Sequence, residues 1–211
     1  MTNEDRRIVA ASLMRELGHA FVGHALSDDQ LDALSEQLRA LHLEFGDAPI
    51  RIREFSRSEV PITIPNVEEI GIRQLFADSF VSGSANPMGL AAQLWRDGDV
   101  ACMQVTLGNA FEGAPGRAHG GVVAALLDEV MGVTNMLHGA MALTARLDIA
   151  YHAPTPVGQP IIARAWLERK DERKHFVEAT LHADELLVAS SKALFITIDR
   201  ATFLEQQLAK D

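Results

Sequence analysis

The chain has 211 residues, of which 47% are hydrophobic and 23% are charged, as in a globular protein that buries a sizeable core. Its formal net charge of −10 at pH 7 disfavours general binding to nucleic acid. The apolar runs fall short of the roughly 20 residues needed to cross a bilayer, so we expect no membrane partner.

Two features of the sequence predict the compartment. Residues 1–7 are polar and charged, with no apolar segment behind them, which disfavours a secretory signal. Cys102 is the single cysteine, so an internal disulfide is excluded and a reducing, cytoplasmic location is expected. Because Cys102 lies within a strand-like run, we expect it in the core rather than as a nucleophile.

The first 85 residues are predicted to form an appended helical and irregular segment. A first helix is indicated by apolar residues at near-helical spacing, namely Ile8, Leu13, Leu17 and Phe21. A second helix is predicted from Ser27, with its apolar positions at Leu31, Leu34, Leu38 and Leu41. Residues 47–86 are mixed and interrupted by prolines, which indicates irregular structure.

Residues 86–200 are predicted to form an α+β domain, followed by a short tail at 201–211. Residues 100–107 have a strand pattern, and a long, mostly apolar helix is expected from His119 to His138, ending at Gly139. Strand-like runs follow at 142–152, 161–168, 174–183 and 186–198, the middle two forming a hairpin around residues 169–173. One buried helix followed by such strands predicts an antiparallel sheet around a helix.

The first of these runs, 142–152, alternates in polarity. One predicted face carries Leu143, Ala145, Leu147, Ile149 and Tyr151. The other predicted face carries Thr144, Arg146 and Asp148.

The central helix contains two adjacent acids in an apolar surrounding. Its apolar residues cover the whole circumference, so the helix is expected to be buried nearly all round. A buried carboxylate without a partner is costly, and neighbouring helix positions point about 100° apart, so Asp128 and Glu129 cannot share one environment. Either at least one acid lies in a cleft, or both reach water at an edge or a subunit boundary.

The start of this helix is the second chemical feature. His119-Gly120-Gly121 follows a loop with two glycines, and free N–H groups at a helix N-terminus can hold an oxyanion. Asp128 lies nine positions after His119, about 13 Å along the axis, which is too far for both to act on one carbon. If both act in one reaction, they come from different subunits, which predicts a homodimer with shared sites.

Several motifs in this order resemble the hotdog thioesterases of the phenylacetic-acid-degradation type, within the 4-hydroxybenzoyl-CoA thioesterase superfamily. They are residues 86–90 (NPMGL), 112–117 (EGAPGR), 119–121 (HGG) with Asp128-Glu129 after six further residues, and 151–158 (YHAPTPVG). The resemblance covers roughly residues 86–199. It implies a hotdog fold, in which an antiparallel sheet wraps a long central helix and subunits pair through their sheets, as a dimer or a dimer of dimers.

The resemblance also implies roles for single residues in acyl-CoA hydrolysis. Asp128 matches the catalytic carboxylate, as general base or nucleophile, and Gly120 with Gly121 matches the oxyanion-hole backbone of the partner subunit. His119 matches a positioning histidine. Three further positions match a water-binding Thr144, an orienting Glu112 and a substrate-binding Asn86.

The substrate's phosphates would need cations, and the reaction would need no metal or redox cofactor. Arg169, Lys170, Arg173 and Lys174 cluster near the predicted hairpin tip and are candidates for binding coenzyme A, although a solvated charged turn is the simpler interpretation. The eight histidines show no spacing typical of a metal site.

Two other functions stay open at this point. A hotdog hydratase or dehydratase would act on an acyl-CoA or acyl-carrier thioester without releasing thiol. A non-catalytic acyl-CoA-binding or sensor protein would bind without turnover, with the N-terminal helices as its sensor or lid.

Overall fold

The computed structural model describes residues 1–51, 64 and 77–199. Both predicted N-terminal helices are confirmed, as α1 (Asn3–Gly23) and α2 (Asp28–Gly46). Each begins with a capping box, in which the hydroxyl of Thr2 or Ser27 accepts an N–H from the third helical residue and that residue's side chain accepts the cap N–H. Most of the segment predicted to be irregular, 47–86, lies outside the described residues.

The apolar stripe that predicts α1 does not face the rest of the protein. Leu13, Leu17 and Phe21 are 60%, 46% and 48% exposed, whereas Ala11 is the buried residue of this helix. The spacing therefore identified the helix correctly, but α1 docks with a different face.

Six strands form one antiparallel sheet in the order β1-β2-β6-β7-β8-β5. Their bounds are Gln93–Asp97, Val100–Thr106, Pro160–Asp171, Lys174–Ala183, Leu186–Thr197 and Ala142–Tyr151, in that order. The four predicted strand runs after the helix are thus confirmed, and β1 is an additional strand that the sequence reading missed. A small second sheet pairs β3 (Glu112–Ala114) with β4 (Arg117–Ala118).

The long helix α3 (Gly120–Leu137) lies against five of these strands, β2, β5, β6, β7 and β8. Its inward side supplies much of the core, including residues with 3% exposure or less: Val123, Leu126, Leu127, Val130, Met131 and Val133. By length and composition alone α3 could cross a membrane, but here it is the central helix of the domain. Its opposite side is only half-buried in a single protomer, so the prediction of burial all round is wrong for the isolated chain.

The end of α3 shows why the predicted stop at Gly139 is correct. Gly139 has φ +69°, and its N–H donates to the carbonyl of Met136, while Ala140 N–H donates to the carbonyl of Asn135. This pair of bonds closes the helix and requires a left-handed residue, which glycine adopts without strain.

Two details of the predicted strands are wrong, the first because of a β-bulge and the second because β6 continues to Asp171 before a two-residue turn. In β5 the pairing shifts between Thr144 and Arg146, so Ala145 is an extra residue and the simple alternation of faces is broken. In β6 the pairing shifts between Leu167 and Arg169, and the hairpin turn consists only of Glu172 and Arg173. Arg169 and Lys170 therefore lie within β6 and not in the turn.

Cys102 lies in β2 with 0% exposure, as predicted. Burial raises the pKa of its thiol, which keeps the side chain protonated at neutral pH.

Candidate active site

The first turn of α3 is fixed by His119. Its backbone N–H donates to the carbonyl of Phe111 over 2.8 Å, and its Nδ1 accepts the N–H of Gly121 over 2.9 Å. The ring thus acts as the helix cap, with Nδ1 unprotonated. Because the Gly121 N–H is used by this cap, Gly121 does not offer it to a ligand, and the predicted oxyanion pair reduces to Gly120.

Gly120 is the first residue of α3, where a backbone N–H has no acceptor within the helix. No residue in the described ranges accepts the Gly120 N–H. Its carbonyl accepts the hydroxyl of Tyr151 over 2.9 Å, which ties the helix start to the end of β5. The helix start therefore has a free N–H of the kind that can bind an anion.

An open cleft of about 520 Å³ lies beside this helix start. Its walls come from residues 113–114 and 117–120, from Val123, and from residues 151–155. The segments 117–120 and 151–155 are joined by a hydrogen bond, in which the Ala118 N–H donates to the carbonyl of Thr155 over 2.9 Å. Gly113 permits the close packing here, because a Cβ on it would lie 2.9 Å from the Cα of His119.

Asp128 lies further along α3 and is held from β5. The hydroxyl of Thr144 donates to Oδ1 of Asp128 over 2.8 Å. The bulge at Ala145 makes this contact possible, because it puts Thr144 on the same, helix-facing side of β5 as Leu147. The prediction that Thr144 and Leu147 lie on opposite faces is wrong for this reason, and the water-binding role of Thr144 stays a prediction.

The second carboxylate oxygen of Asp128 is not used. In the described part of the chain, no donor reaches Oδ2, and the residue is only half-buried. One oxygen is thus fixed in place while the other can accept a proton from an incoming molecule.

Glu129, the next residue, has an entirely different environment. One of its oxygens accepts the hydroxyl of Ser79 over 2.7 Å and the other accepts the backbone N–H of Ser82 over 3.0 Å. The side chains of Asp128 and Glu129 therefore lie in separate environments, as expected for neighbouring helix positions that point about 100° apart. Glu129 anchors the loop before β1 to the helix, a role that the sequence reading missed because Ser79 and Ser82 carry no recognisable motif.

Two predicted site residues have local roles in the structure. Asn86 uses its side-chain amide within its own loop, donating to the carbonyl of Asp78 and accepting the N–H of Met88. Glu112 is exposed, pairs with Ala118 in the small sheet and does not line the cleft. The contribution of either residue to a substrate site stays a prediction.

The four cations predicted to bind coenzyme A differ in the contacts that their side chains make within the protein. The guanidinium of Arg169 lies over the ring of Phe176 at 3.4 Å, and that of Arg173 donates twice to the carbonyl of Thr197. The side chains of Lys170 and Lys174 are exposed and have no hydrogen bond or ion pair with any residue that the structure describes. These two lysines are therefore the cations that remain available to an anionic ligand.

The free donor and the free carboxylate oxygen are far apart in one protomer. Eight helical positions separate Gly120 from Asp128 within the regular helix α3, which corresponds to about 12 Å. The residues lining the cleft do not include Asp128. Within one chain, the Gly120 N–H and the free oxygen of Asp128 therefore cannot contact the same atom.

Comparisons with known proteins agree with the predicted resemblance. Residues 115–190 match the family model described as the thioesterase superfamily. A crystal structure of a thioesterase superfamily protein superimposes with a TM-score of 0.74 and 25% identity, covering 90% of this chain and 94% of that one. The hotdog fold and the resemblance to the thioesterase superfamily are thereby confirmed, and the structural match extends beyond residues 86–199 into the N-terminal segment.

Two curated relatives carry the same type of name. The acyl-coenzyme A thioesterase THEM4 of Mus musculus is 29% identical over 150 residues, covering 70% of this chain and 64% of that protein. THEM4 of Rattus norvegicus is 32% identical over 91 residues, covering 42% of this chain and 39% of that protein. The chain thus spans less than two thirds of the length of these relatives.

Proposed function

We propose that this protein, whose central domain is a hotdog domain similar to the thioesterase superfamily, hydrolyses an acyl-CoA thioester to a free acid and coenzyme A. The observation that carries the proposal is the state of Asp128, with Oδ1 held by Thr144 over 2.8 Å and Oδ2 without a donor in the residues described. The names of the curated relatives support the substrate class.

Asp128 acts on the water or directly on the thioester carbon. As a general base, its free oxygen takes a proton from water while the water oxygen attacks the carbonyl carbon. As a nucleophile, the same oxygen attacks the carbon and forms an anhydride that water then opens. In both cases the carbon–sulfur bond breaks, and the thiolate of coenzyme A leaves and takes up a proton.

The negative charge that develops on the carbonyl oxygen needs a donor fixed in advance, and Gly120 N–H is that donor. His119 holds the helix start in position through its cap on Gly121 and does not act as the base. Lys170 and Lys174 are the proposed contacts for the phosphates of coenzyme A, because Arg169 and Arg173 are already engaged.

The site is completed by a second copy of the chain. A carbon attacked at Asp128 cannot lie next to Gly120 of the same helix, given the separation of about 12 Å. β5 supports such pairing, since β8 is its one neighbour among the described strands and its other edge is unpaired over ten residues. We therefore infer a homodimer in which Asp128 of one protomer faces Gly120 of its partner.

The first experiment measures thiol release from short, medium, long and aromatic acyl-CoAs. Asp128→Ala is expected to lower kcat by at least about 100-fold, consistent with the loss of a general base. Asp97→Ala is the matched control, because Asp97, on β1 at the opposite edge of the sheet from β5, is a carboxylate in an exposed ion pair with Arg164, and it should leave kcat within about twofold. Near-normal turnover by a folded Asp128→Ala protein contradicts the proposal, and saturable binding of acyl-CoA without turnover by the wild type indicates a binding protein instead.

The oxyanion donor can be removed without breaking the helix. Proline is well tolerated at the first position of a helix, and His119 already has the extended conformation, φ −64° and ψ 134°, that precedes a proline. Gly120→Pro therefore deletes the N–H, while Gly120→Ala retains it and meets Tyr151 only at an ordinary contact distance of 3.4 Å. We expect kcat to fall about 100-fold in the proline variant and much less in the alanine variant.

Mixing the two inactive variants tests the shared site. In a mixed dimer of Asp128→Ala and Gly120→Pro, one site carries both defects and the other carries neither. With random exchange of subunits, half of the dimers are mixed, so roughly a quarter of the wild-type activity returns. No recovery after verified subunit exchange would show that each site belongs to one protomer.

A further inference from the structure

Helix α1, which lies outside the residues matched by the family model, contacts the domain at residues 84–86 and at the short 3₁₀ turn that precedes α3. The guanidinium Nη1 of Arg15 donates to the carbonyls of Ser84 and Asn86 over 2.9 and 2.7 Å. One turn later, Nδ1 of His19 accepts the backbone N–H of Ala110 over 3.2 Å. With the buried Ala11, these residues lie at intervals of four and form the docking face of α1.

His19 fits closely against the 3₁₀ turn Asn109–Phe111. Its ring meets the ring of Phe111 edge to face, with 5.1 Å between centroids. It also occupies the space in which a side chain on Gly108 would lie, since a Cβ there would be 2.5 Å from Nδ1. This packing leaves the turn little freedom while α1 is docked.

The same turn holds the start of α3. The carbonyl of Phe111 accepts the N–H of His119 over 2.8 Å, and His119 in turn caps the helix through Gly121. The path from His19 to the proposed oxyanion donor, Gly120 N–H, is thus a short series of direct contacts through one turn and one cap.

We propose that His19 is a positioning residue for the oxyanion site, acting through Phe111 and His119 on Gly120. This inference rests on the proposed thioester hydrolysis, in which Gly120 N–H must be placed before charge develops on the substrate oxygen. The residue does not touch the reacting atoms, and its effect is the placement of the 3₁₀ turn.

The protonation state of His19 agrees with this role. Desolvation by burial, and then the positive charge of Arg15, lower the pKa of His19 below its ordinary value of 6.5. The ring is therefore neutral at pH 7 and can accept the N–H of Ala110 at Nδ1.

Three variants separate positioning from general packing. His19→Leu removes the acceptor and keeps much of the volume, whereas His19→Asn places an amide oxygen close to the position of Nδ1 and can restore the bond. His24→Leu is the matched control, because His24 caps the exposed end of the same helix and, among the described residues, its side chain hydrogen-bonds to the carbonyl of Ala20 alone.

We expect His19→Leu to lower kcat about tenfold with KM nearly unchanged, as for a displaced but intact donor. His19→Asn should recover most of kcat, and His24→Leu should match the wild type. Hydrogen–deuterium exchange of the 117–123 segment should be faster in His19→Leu by about the same factor and slow again in His19→Asn.

The exchange readout separates failure of this inference from failure of the proposed function. If wild type releases no thiol from any acyl-CoA, thioester hydrolysis is wrong, and exchange alone decides whether His19 controls the start of α3. Unchanged exchange in His19→Leu overturns the inference, as does a loss of kcat that His19→Asn fails to reverse. Should His19→Leu not fold, His19→Gln, whose amide oxygen does not reach the Nδ1 position, is judged by the same two criteria.

Discussion

Replacing Glu129 with alanine is expected to destabilise the protein strongly while sparing the chemical step. The carboxylate accepts two hydrogen bonds, from the Ser79 hydroxyl over 2.7 Å and from the Ser82 N–H over 3.0 Å. Hydrogen bonds to charged groups contribute about 1.5–3 kcal/mol each. Ser82 is only 5% exposed, so water cannot readily replace the lost acceptor of its N–H.

These terms set the expected magnitude. Allowing for the partial exposure of Glu129 and for the better helix propensity of alanine, we expect a loss of about 2–4 kcal/mol in the free energy of unfolding. For a chain of this size that corresponds to roughly 5–15 °C in Tm. Glu129→Gln keeps the shape and one acceptor oxygen, and should cost about 1 kcal/mol.

Urea unfolding at a fixed protein concentration measures these values, with Asp97→Ala as an exposed acidic control that should change stability by less than about 1 kcal/mol. A double-mutant cycle with Ser79→Ala should give a coupling energy of about 1–2 kcal/mol. If the free energy of unfolding of Glu129→Ala lies within about 0.5 kcal/mol of the wild-type value, the loop is not anchored by this carboxylate. The folded variant should retain far more kcat than Asp128→Ala.

Three further predictions concern packing and titration. Gly113→Ala should lower kcat about tenfold by displacing His119, whose Cα would lie 2.9 Å from the new Cβ. Gly18→Ala, with open space around it, should instead raise the free energy of unfolding by up to about 1 kcal/mol. Equal effects of the two substitutions on kcat and on stability would contradict this contrast. Because the folded pKa of His19 is lowered, its folded state binds fewer protons than the unfolded state. The free energy of unfolding should therefore fall as pH drops below 6.5, less steeply in His19→Asn, as urea titrations at several pH values would show. Cys102 should react with a thiol reagent only in denaturant, since it is fully buried and its pKa is raised; rapid labelling of native protein would refute this.

Local sequence patterns determined most of the secondary structure, because each pattern has a local physical cause. The long central helix was predicted to end at Gly139, where only a left-handed residue allows the closing hydrogen bonds. The four strands after it were predicted as strand-like runs; three keep nearly the predicted bounds, whereas β6 continues three residues further, to Asp171. The separation of Asp128 from Glu129 also follows from the sequence, since helix geometry fixes the angle between neighbours.

Tertiary structure decided which groups are free to act. Whether a donor or carboxylate is available depends on contacts with residues distant in sequence, such as Glu129 with Ser79, which no local pattern encodes. The bulge at Ala145 moved Thr144 onto the helix side of β5, and a single extra residue in a strand leaves no signature in its polarity alternation. The exposed leucines of α1 predicted its helical structure, but its docking depends on which surface the domain offers. That surface consists of backbone carbonyls and an N–H, which Arg15 and His19 can bind and leucine cannot.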